Sequence, residues 1–250
     1  MSGDGQAGLR LTVLGRGAAN IRLEPRHLVI AGFTGRDQAS VAAHVSELAA
    51  IGVPVPDEVP AFYPLDPALL TTRDLVEVTG PNTSGEAEPV IIRHHDRWYV
   101  AVGSDHTDRD LERSGIAESK AVCPKPVSRH VVELPASVDA VDWDEIELSS
   151  AVDGRPYQRG TLAALLHPAD LLARLGAVQG APGGDGDLAM FCGTLPLLEG
   201  EFVAGAAWQL TMRIPGGTTL DHRYRVRRRP DRFTFRTQQG VASCVPDSST

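Results

Sequence analysis

"SGEAEPVIIRHHDRWYVAVGSDHTDRD", Ser84 to Asp110, is the stretch on which the reading of this chain turns. Pro89–Arg93 and Trp98–Val102 are apolar runs rich in β-branched and aromatic residues, and the polar His94-His95-Asp96-Arg97 separates them. The pattern predicts two strands joined by a hairpin turn. Folding the hairpin about the centre of that turn sets Glu86 opposite Asp105 and Glu88 opposite Gly103. Side chains alternate along a strand, so Glu86 and Glu88 share a face. Like charges directly opposed are destabilising, and a divalent cation is the simplest compensation. Three carboxylates and water suit a hard ion, Mg2+ or else Mn2+ or Ca2+, and not zinc. The bland alternative is that E-x-E is surface charge, since a one-residue slip turns Asp105 to the other face. Alternation places His106 opposite Asp105, outside any metal shell. His94, His95 and Asp96 are read as an exposed turn.

The chain has 250 residues, enough for one large domain or a main domain with a small appendage. Its net charge of −8 argues against a nucleic-acid surface, which needs a basic face. The basic run Arg225–Arg229 is read as a solvated strand or an intersubunit contact. Cys123, Cys192 and Cys244 are odd in number and widely spaced, so neither a disulfide framework nor a zinc knuckle is expected. No apolar run reaches the roughly 18 residues of a membrane span. The opening MSGDGQAGLR lacks a signal-peptide core, so no membrane is expected and a reduced cytoplasm is the expected compartment.

Strands are predicted at Leu9–Leu14, His27–Phe33, Val76–Val78, Leu188–Cys192, Trp208–Ile214 and Tyr224–Arg228, with a turn at Gly15-Arg16-Gly17. A helix opens after Thr34-Gly35-Arg36-Asp37, with Thr34 as its cap and Asp37 in the first turn. Val41, Val45, Leu48 and Ile51 step at helical spacing, and Gly52 ends the run. Gly52–Pro67 is a proline-rich connector that cannot be a helix. "PADLLARL" is a second helix with Pro168 near its first turn. Gly180–Asp187 lacks the Lys-Ser/Thr of a phosphate loop and is a plain turn. Strands predominate.

Seven short motifs then fall in one order. His44-Val45-Ser46-Glu47 lies on the first helix, followed by Pro60-Ala61-Phe62-Tyr63-Pro64. Glu86-Ala87-Glu88 and Ser104-Asp105-His106-Thr107-Asp108-Arg109-Asp110 come next. Lys120 precedes Cys123-Pro124, Tyr157-Gln158 precedes the Leu162–Leu175 stretch, and Gly193-Thr194-Leu195-Pro196 comes last. In this order the chain resembles the fumarylacetoacetate hydrolase superfamily, its acylpyruvase and oxaloacetate decarboxylase members in particular, and within it an uncharacterised bacterial branch. It departs from the pattern in four ways. The Glu88–Asp105 gap is short, Ser104 and Thr107 replace Asn and Ser, Tyr63 replaces a lysine, and the segment after Lys120 is contracted. These changes spare the metal ligands and bear on the substrate pocket.

The resemblance implies a mostly β fold with some α, a mixed β-roll or sandwich over 71–240. A small N-terminal β/α segment, 1–70, would carry the His44 helix as a lid, and 241–250 would be a flexible tail. It implies that Glu86, Glu88 and Asp105 hold the divalent ion. The substrate would be a 2-oxo or 1,3-dicarbonyl acid whose C–C bond is hydrolysed through a metal-stabilised enolate. Glu47, three residues from His44 on one helix face, would orient it to deprotonate water. Lys120 would supply positive charge, and Gln158, Thr194 and Tyr63 would bind substrate. Arg109 belongs to the same pocket, with bracing of the acidic cluster as its main part. Decarboxylation, hydration, tautomerisation or cyclisation at the same site is the alternative, and a non-catalytic metal-binding protein is a third. The superfamily's usual pairing implies a homodimer.

Overall fold

The computed structural model describes residues 8–15, 19–50, 52–178 and 186–229. Outside them lie residues 1–7 of the leader, the end of the Gly15-Arg16-Gly17 turn, Ile51, most of the Gly180–Asp187 loop, Cys244 and the tail. An eight-stranded sheet runs, in spatial order, β2 (Ala19–Leu23), β1 (Leu9–Leu14), β12 (His130–Glu133), β9 (Arg97–Ser104), β8 (Ala87–His94), β15 (Asp187–Phe191), β3 (Pro25–Gly32) and β4 (Ala61–Leu65). A five-stranded sheet runs β14 (Arg155–Thr161), β13 (Glu147–Val152), β16 (Ala207–Ile214), β17 (Thr218–Arg228) and β6 (Leu75–Val78). Two short pairs complete the strands, β10 (Thr107–Asp108) with β7 (Thr83–Ser84) and β11 (Lys125–Pro126) with β5 (Leu70–Thr71). The helices are α1 (Gln38–Ala50), α2 (Arg109–Glu112), α3 (Ile116–Ala121) and α4 (Pro168–Ala177).

The large sheet is buried on both faces, and this is why its central strands read as unbroken apolar runs. Along β3, Val29 and Ala31 face the five-stranded sheet, where Leu148, Leu210 and Leu220 meet them in one core. Leu28 and Ile30 face the other way, into a second core made with Val90, Ile92, Tyr99, Ala101, Ala189 and Phe191 of the same sheet. The eight strands therefore curl, and their concave side closes on itself. Each fully buried aliphatic side chain contributes about 1.5–3 kcal/mol, so two cores rather than one hold the curl.

The central hairpin has the predicted register, with Glu88 opposite Gly103 and Val90 opposite Ala101. The Asp105 N–H donates to the Glu86 carbonyl at 3.0 Å, which continues the pairing past the strand ends. His95, at φ 52°, makes the turn. Gly103 serves the packing of the core. A Cβ there would come within 2.7 Å of both Phe191 and Val90, so the space beside it belongs to the core and not to the carboxylates.

The first helix is capped by Asp37 and not by Thr34. The Asp37 carboxylate accepts the Ala39 N–H at 3.0 Å and the Ser40 hydroxyl at 2.7 Å, while Thr34 is buried. The proline-rich connector contains a strand, β4, with Pro64 opposite Val29. Proline is tolerated there because β4 is at the sheet edge. Residues 9–65 supply four of the eight strands of the large sheet, so this part of the chain is woven into it. α4 begins at Pro168 as predicted, and the His167 side chain caps it. Among the described residues, no helix is long and apolar enough to cross a membrane.

Candidate metal centre

Three carboxylates leave the hairpin on one side. On β8, Glu88 has the same parity as Val90 and Ile92, and on β9 Asp105 continues the series of Tyr99, Ala101 and Gly103. Both series face the concave core of the curled sheet. Glu88 and Asp105 are 3% and 1% exposed, and the Glu86 side chain is 13% exposed. Buried acids in such numbers need compensation.

The compensation comes from three basic side chains and one amide. Lys120 and Lys125 both pair with Asp105, the second at 3.1 Å. Burial opposes the Asp105 charge, but the two ammonium groups outweigh it and hold the carboxyl below its usual range. Burial likewise opposes the Lys120 charge, and Asp105 and Glu86 outweigh it, so Lys120 stays protonated. Lys125 is wholly buried and also donates to the carbonyls of His106 and Lys120 at 2.5 and 2.6 Å. Arg109 donates to Glu86 at 3.0 Å, to Glu112 at 2.8 Å and to the Ser84 hydroxyl at 2.6 Å, and Phe202 covers its guanidinium at 3.7 Å. Bracing the acidic cluster is thus the geometry found for Arg109. Glu88 accepts the Gly193 N–H at 2.8 Å. Burial first, then the negative charge of Asp105, pushes the Glu88 carboxyl well up, with Lys120 working against them and Glu86 adding to the rise.

Gln158 and Thr194 do not reach out toward a ligand. Gln158 Oε1 accepts the Ala87 N–H at 2.9 Å and the Ser150 hydroxyl at 2.8 Å, and its Nε2 donates to Thr194 Oγ1 at 2.6 Å and to the Leu195 carbonyl at 2.7 Å. Thr194 donates to the Ala87 carbonyl at 2.9 Å. Together they clamp the residue between the two glutamates. Gly193 must be glycine: its φ is +97°, and a Cβ would sit 1.7 Å from Thr34 Oγ1. The late "GTLP" motif therefore places Glu88 and Ala87.

His44 and Glu47 lie on one face of α1 with Nδ1 and Oε2 3.9 Å apart, but the side chains are 61% and 80% exposed. None of the cluster's hydrogen bonds described above involves them. The base of α1 is pinned by Arg36, which grips Asp144 at 2.8 and 2.5 Å. Tyr63, on β4, lies beside the cluster with its ring 5.8 Å from Lys120 Nζ. His106 faces away as expected, with Nδ1 3.0 Å from the Tyr224 hydroxyl and Nε2 2.9 Å from Thr83 Oγ1. Burial, with Lys125 and Arg109 beside it, lowers its pKa to about 3. His94 is no bare turn residue, because it meets Asp187 at 2.8 Å.

Sequence reasoning missed Lys125 and Glu112. Lys125 precedes Pro126, which favours an extended backbone there, but nothing local in Pro124-Lys125-Pro126 turns its side chain inward. Glu112 sits three residues after Arg109, a spacing at which charges on a helix meet.

As placed, no group of three His, Cys, Asp or Glu side chains among the described residues gathers in a metal-holding arrangement, because each carboxylate is turned to a protein donor. The donor set nevertheless fits a hard divalent ion. It is all carboxylate oxygen with no thiolate or imidazole in it, and a cation there would favour the charged form of Glu88, which burial and Asp105 oppose.

A curled β-roll packed on a second sheet, with an E-x-E and Asp cluster at its concave end, defines a fumarylacetoacetate hydrolase-like fold. Solved structures share it. A candidate fumarylacetoacetate isomerase/hydrolase from Oleispira antarctica superposes with TM-score 0.60 at 18% identity, over 86% of this chain and 98% of the other. Fumarylpyruvate hydrolase from Pseudomonas aeruginosa, solved with Mn2+ and pyruvate, gives 0.58 at 21% identity, over 89% and 97%. The 5-carboxymethyl-2-hydroxymuconate delta-isomerase of Mycobacterium smegmatis gives 0.55 at 17%, over 88% and 83%. Comparison with curated protein sequences gives no match. The chain belongs to the family described as "Protein of unknown function (DUF2848)", whose model matches residues 31–224.

Proposed function

We propose that this protein is a divalent-metal-dependent hydrolase that cleaves a C–C bond in a 2-oxo or 1,3-dicarbonyl acid of the acylpyruvate class. The observation that carries the reading is the trio Glu86, Glu88 and Asp105 on one side of the hairpin, the last two buried and the first partly so, with Lys120 against Asp105. The Mn2+ and pyruvate bound by the Pseudomonas aeruginosa hydrolase support both the ion and the substrate class. Glu86, Glu88 and Asp105 would hold the ion. When bound, it supplies Lewis acidity toward the substrate's oxo and carboxylate oxygens.

The chain's own residues do the rest. Lys120 and Lys125 offset the charge of Asp105 so that the cluster can be buried. Arg109 fixes Glu86, and Gln158 with Thr194 fixes the backbone between the glutamates, which preorganises the site. Closure of α1 would bring His44 to the substrate. With Nδ1 facing Glu47, Nε2 is left to take a proton from water. Closure would also exclude bulk water.

A second reading is an isomerase or decarboxylase at the same site. The outward position of His44 and Glu47 favours it, because such a reaction needs no activated water. One experiment separates the two. Acylpyruvates, oxaloacetate and related 2-oxo acids are incubated with Mg2+ or Mn2+, with EDTA as control, and the products are identified. Metal-dependent release of pyruvate and a carboxylic acid supports hydrolysis. Metal-dependent isomerisation or CO2 release supports the second reading, and no turnover with any metal overturns both.

A further inference from the structure

Tyr63 carries a hydroxyl that is buried and, among the described residues, has no hydrogen-bond partner. It sits on β4, at the edge of the curled sheet, and packs on the concave core that Glu88 and Asp105 face. The ring lies close over the backbone of Gly32, where a Cβ would come within 2.9 Å of Cε2. The ammonium of Lys120 lies 5.8 Å from the ring centre.

The nearby acceptors are already engaged. Asp105 takes Lys120 and Lys125, Glu86 and Glu112 take Arg109, and Glu88 takes Gly193 N–H. A buried hydroxyl without a partner has lost its water and gained nothing in return. Burial, first, raises its pKa, Lys120 opposes this, and Glu112 and Asp105 add to the rise, so the group is an O–H donor at neutral pH.

We propose that Tyr63 donates a hydrogen bond to the uncharged acyl carbonyl oxygen of the substrate, the oxygen on which negative charge develops as water adds. The assignment rests on the hydrolase reading above. In that step the water oxygen bonds to the acyl carbon, its proton passes to His44, and the C=O π pair moves onto the oxygen that Tyr63 faces. A phenol favours a neutral acceptor in the ground state and strengthens as charge builds, whereas a substrate arm ending in carboxylate would gain no counter-ion from it. The site is therefore selective for acylpyruvates with an uncharged acyl arm.

The test is Tyr63→Phe, which keeps the ring and removes only the hydroxyl. With Mn2+ bound, kcat for acetylpyruvate should fall about 10²–10³-fold. The Kd for pyruvate, which lacks the acyl carbonyl, should not change by calorimetry. The thermal midpoint should hold or rise, because an unpartnered buried polar atom has gone. A kcat within threefold of wild type overturns the assignment. Parallel weakening of pyruvate binding also overturns it, by placing Tyr63 on the 2-oxo acid head instead. A wild type that binds no pyruvate with Mn2+ refutes the hydrolase reading and takes this assignment with it, a result read without any variant.

Discussion

Gln158 holds Ala87 in place. Its Oε1 accepts the Ala87 N–H at 2.9 Å from across the two sheets, and through Thr194 it also controls the Ala87 carbonyl. Ala87 is the middle of Glu86-Ala87-Glu88, so an uncharged amide sets the spacing of two glutamates. Gln158→Leu leaves buried donors and acceptors on Ala87, Ser150 and Leu195 without partners. A loss of at least about 3 kcal/mol is expected from denaturant unfolding, at about 1–3 kcal/mol for each of the three groups stranded. Mn2+ affinity should fall at least about tenfold, as for other supports of metal ligands. A variant that unfolds early yet binds Mn2+ like wild type would confine Gln158 to stability.

Acid should weaken the fold through a histidine remote from the carboxylates. His222 is 5% exposed, and burial, first, lowers its pKa to about 4, with Arg129 also lowering it and Asp74 raising it. A depressed histidine pKa means that below the unfolded value near 6.5 the unfolded chain takes up a proton that the folded chain refuses. Stability is therefore full above about pH 6.5 and falls as pH drops toward 4. Between pH 7 and pH 5 this group alone should cost about 2 kcal/mol. His222→Leu should lose that much of the wild type's pH dependence in urea titrations at the two pH values. Equal slopes for the two proteins would mean that His222 titrates normally.

Much of this was legible in the sequence, for a physical reason. The hairpin register followed from alternation and the turn, since a one-residue slip would have put Glu88 and Val90 on the wrong face. α4 showed itself through Pro168, and β15 through an unbroken apolar run. β4 was hidden because Pro60 and Pro64 signal a loop, and only an edge position accommodates them in a strand. β13 and β14 were hidden because the buried polar residues Ser150 and Gln158 interrupt the apolar alternation that marks a strand. At the site, the ordered motifs pointed to Glu86, Glu88, Asp105 and Lys120, and the structure places these four near one another, with no three acids among the described residues gathered as metal ligands. The roles of Gln158 and Thr194 were not legible, because a residue's partner across two sheets leaves no trace in local spacing. Lys125 was overlooked because a fully buried lysine is rare unless a counter-ion waits for it.

Asp105 is the counter-ion for two buried ammonium groups, so its loss should be felt without any metal. Asp105→Asn strands Lys120 and Lys125 in the interior, and breaking a buried pair in this way costs about 3–5 kcal/mol. Adding Lys120→Met removes one stranded charge, so the double variant should be more stable than the sum of the single losses. Urea unfolding of the four proteins in EDTA checks this. Strict additivity would show that Lys120 and Asp105 do not interact in solution.

His44 decides whether the site uses water. It is exposed on α1, with Glu47 at 3.9 Å and the Phe33 ring at 6.2 Å as its neighbours, so His44→Ala should change the thermal midpoint little and leave Mn2+ affinity unchanged. Under the hydrolase reading, pyruvate release should fall about 10²–10⁴-fold, the usual share of a general base. Glu47→Gln should fall less, because it removes only the group that orients the ring. If both variants release pyruvate at the wild-type rate, water is activated elsewhere. If they stay active as isomerases or decarboxylases while no protein hydrolyses acylpyruvates, the helix is a cover and the chemistry belongs to the carboxylate cluster and its lysines alone.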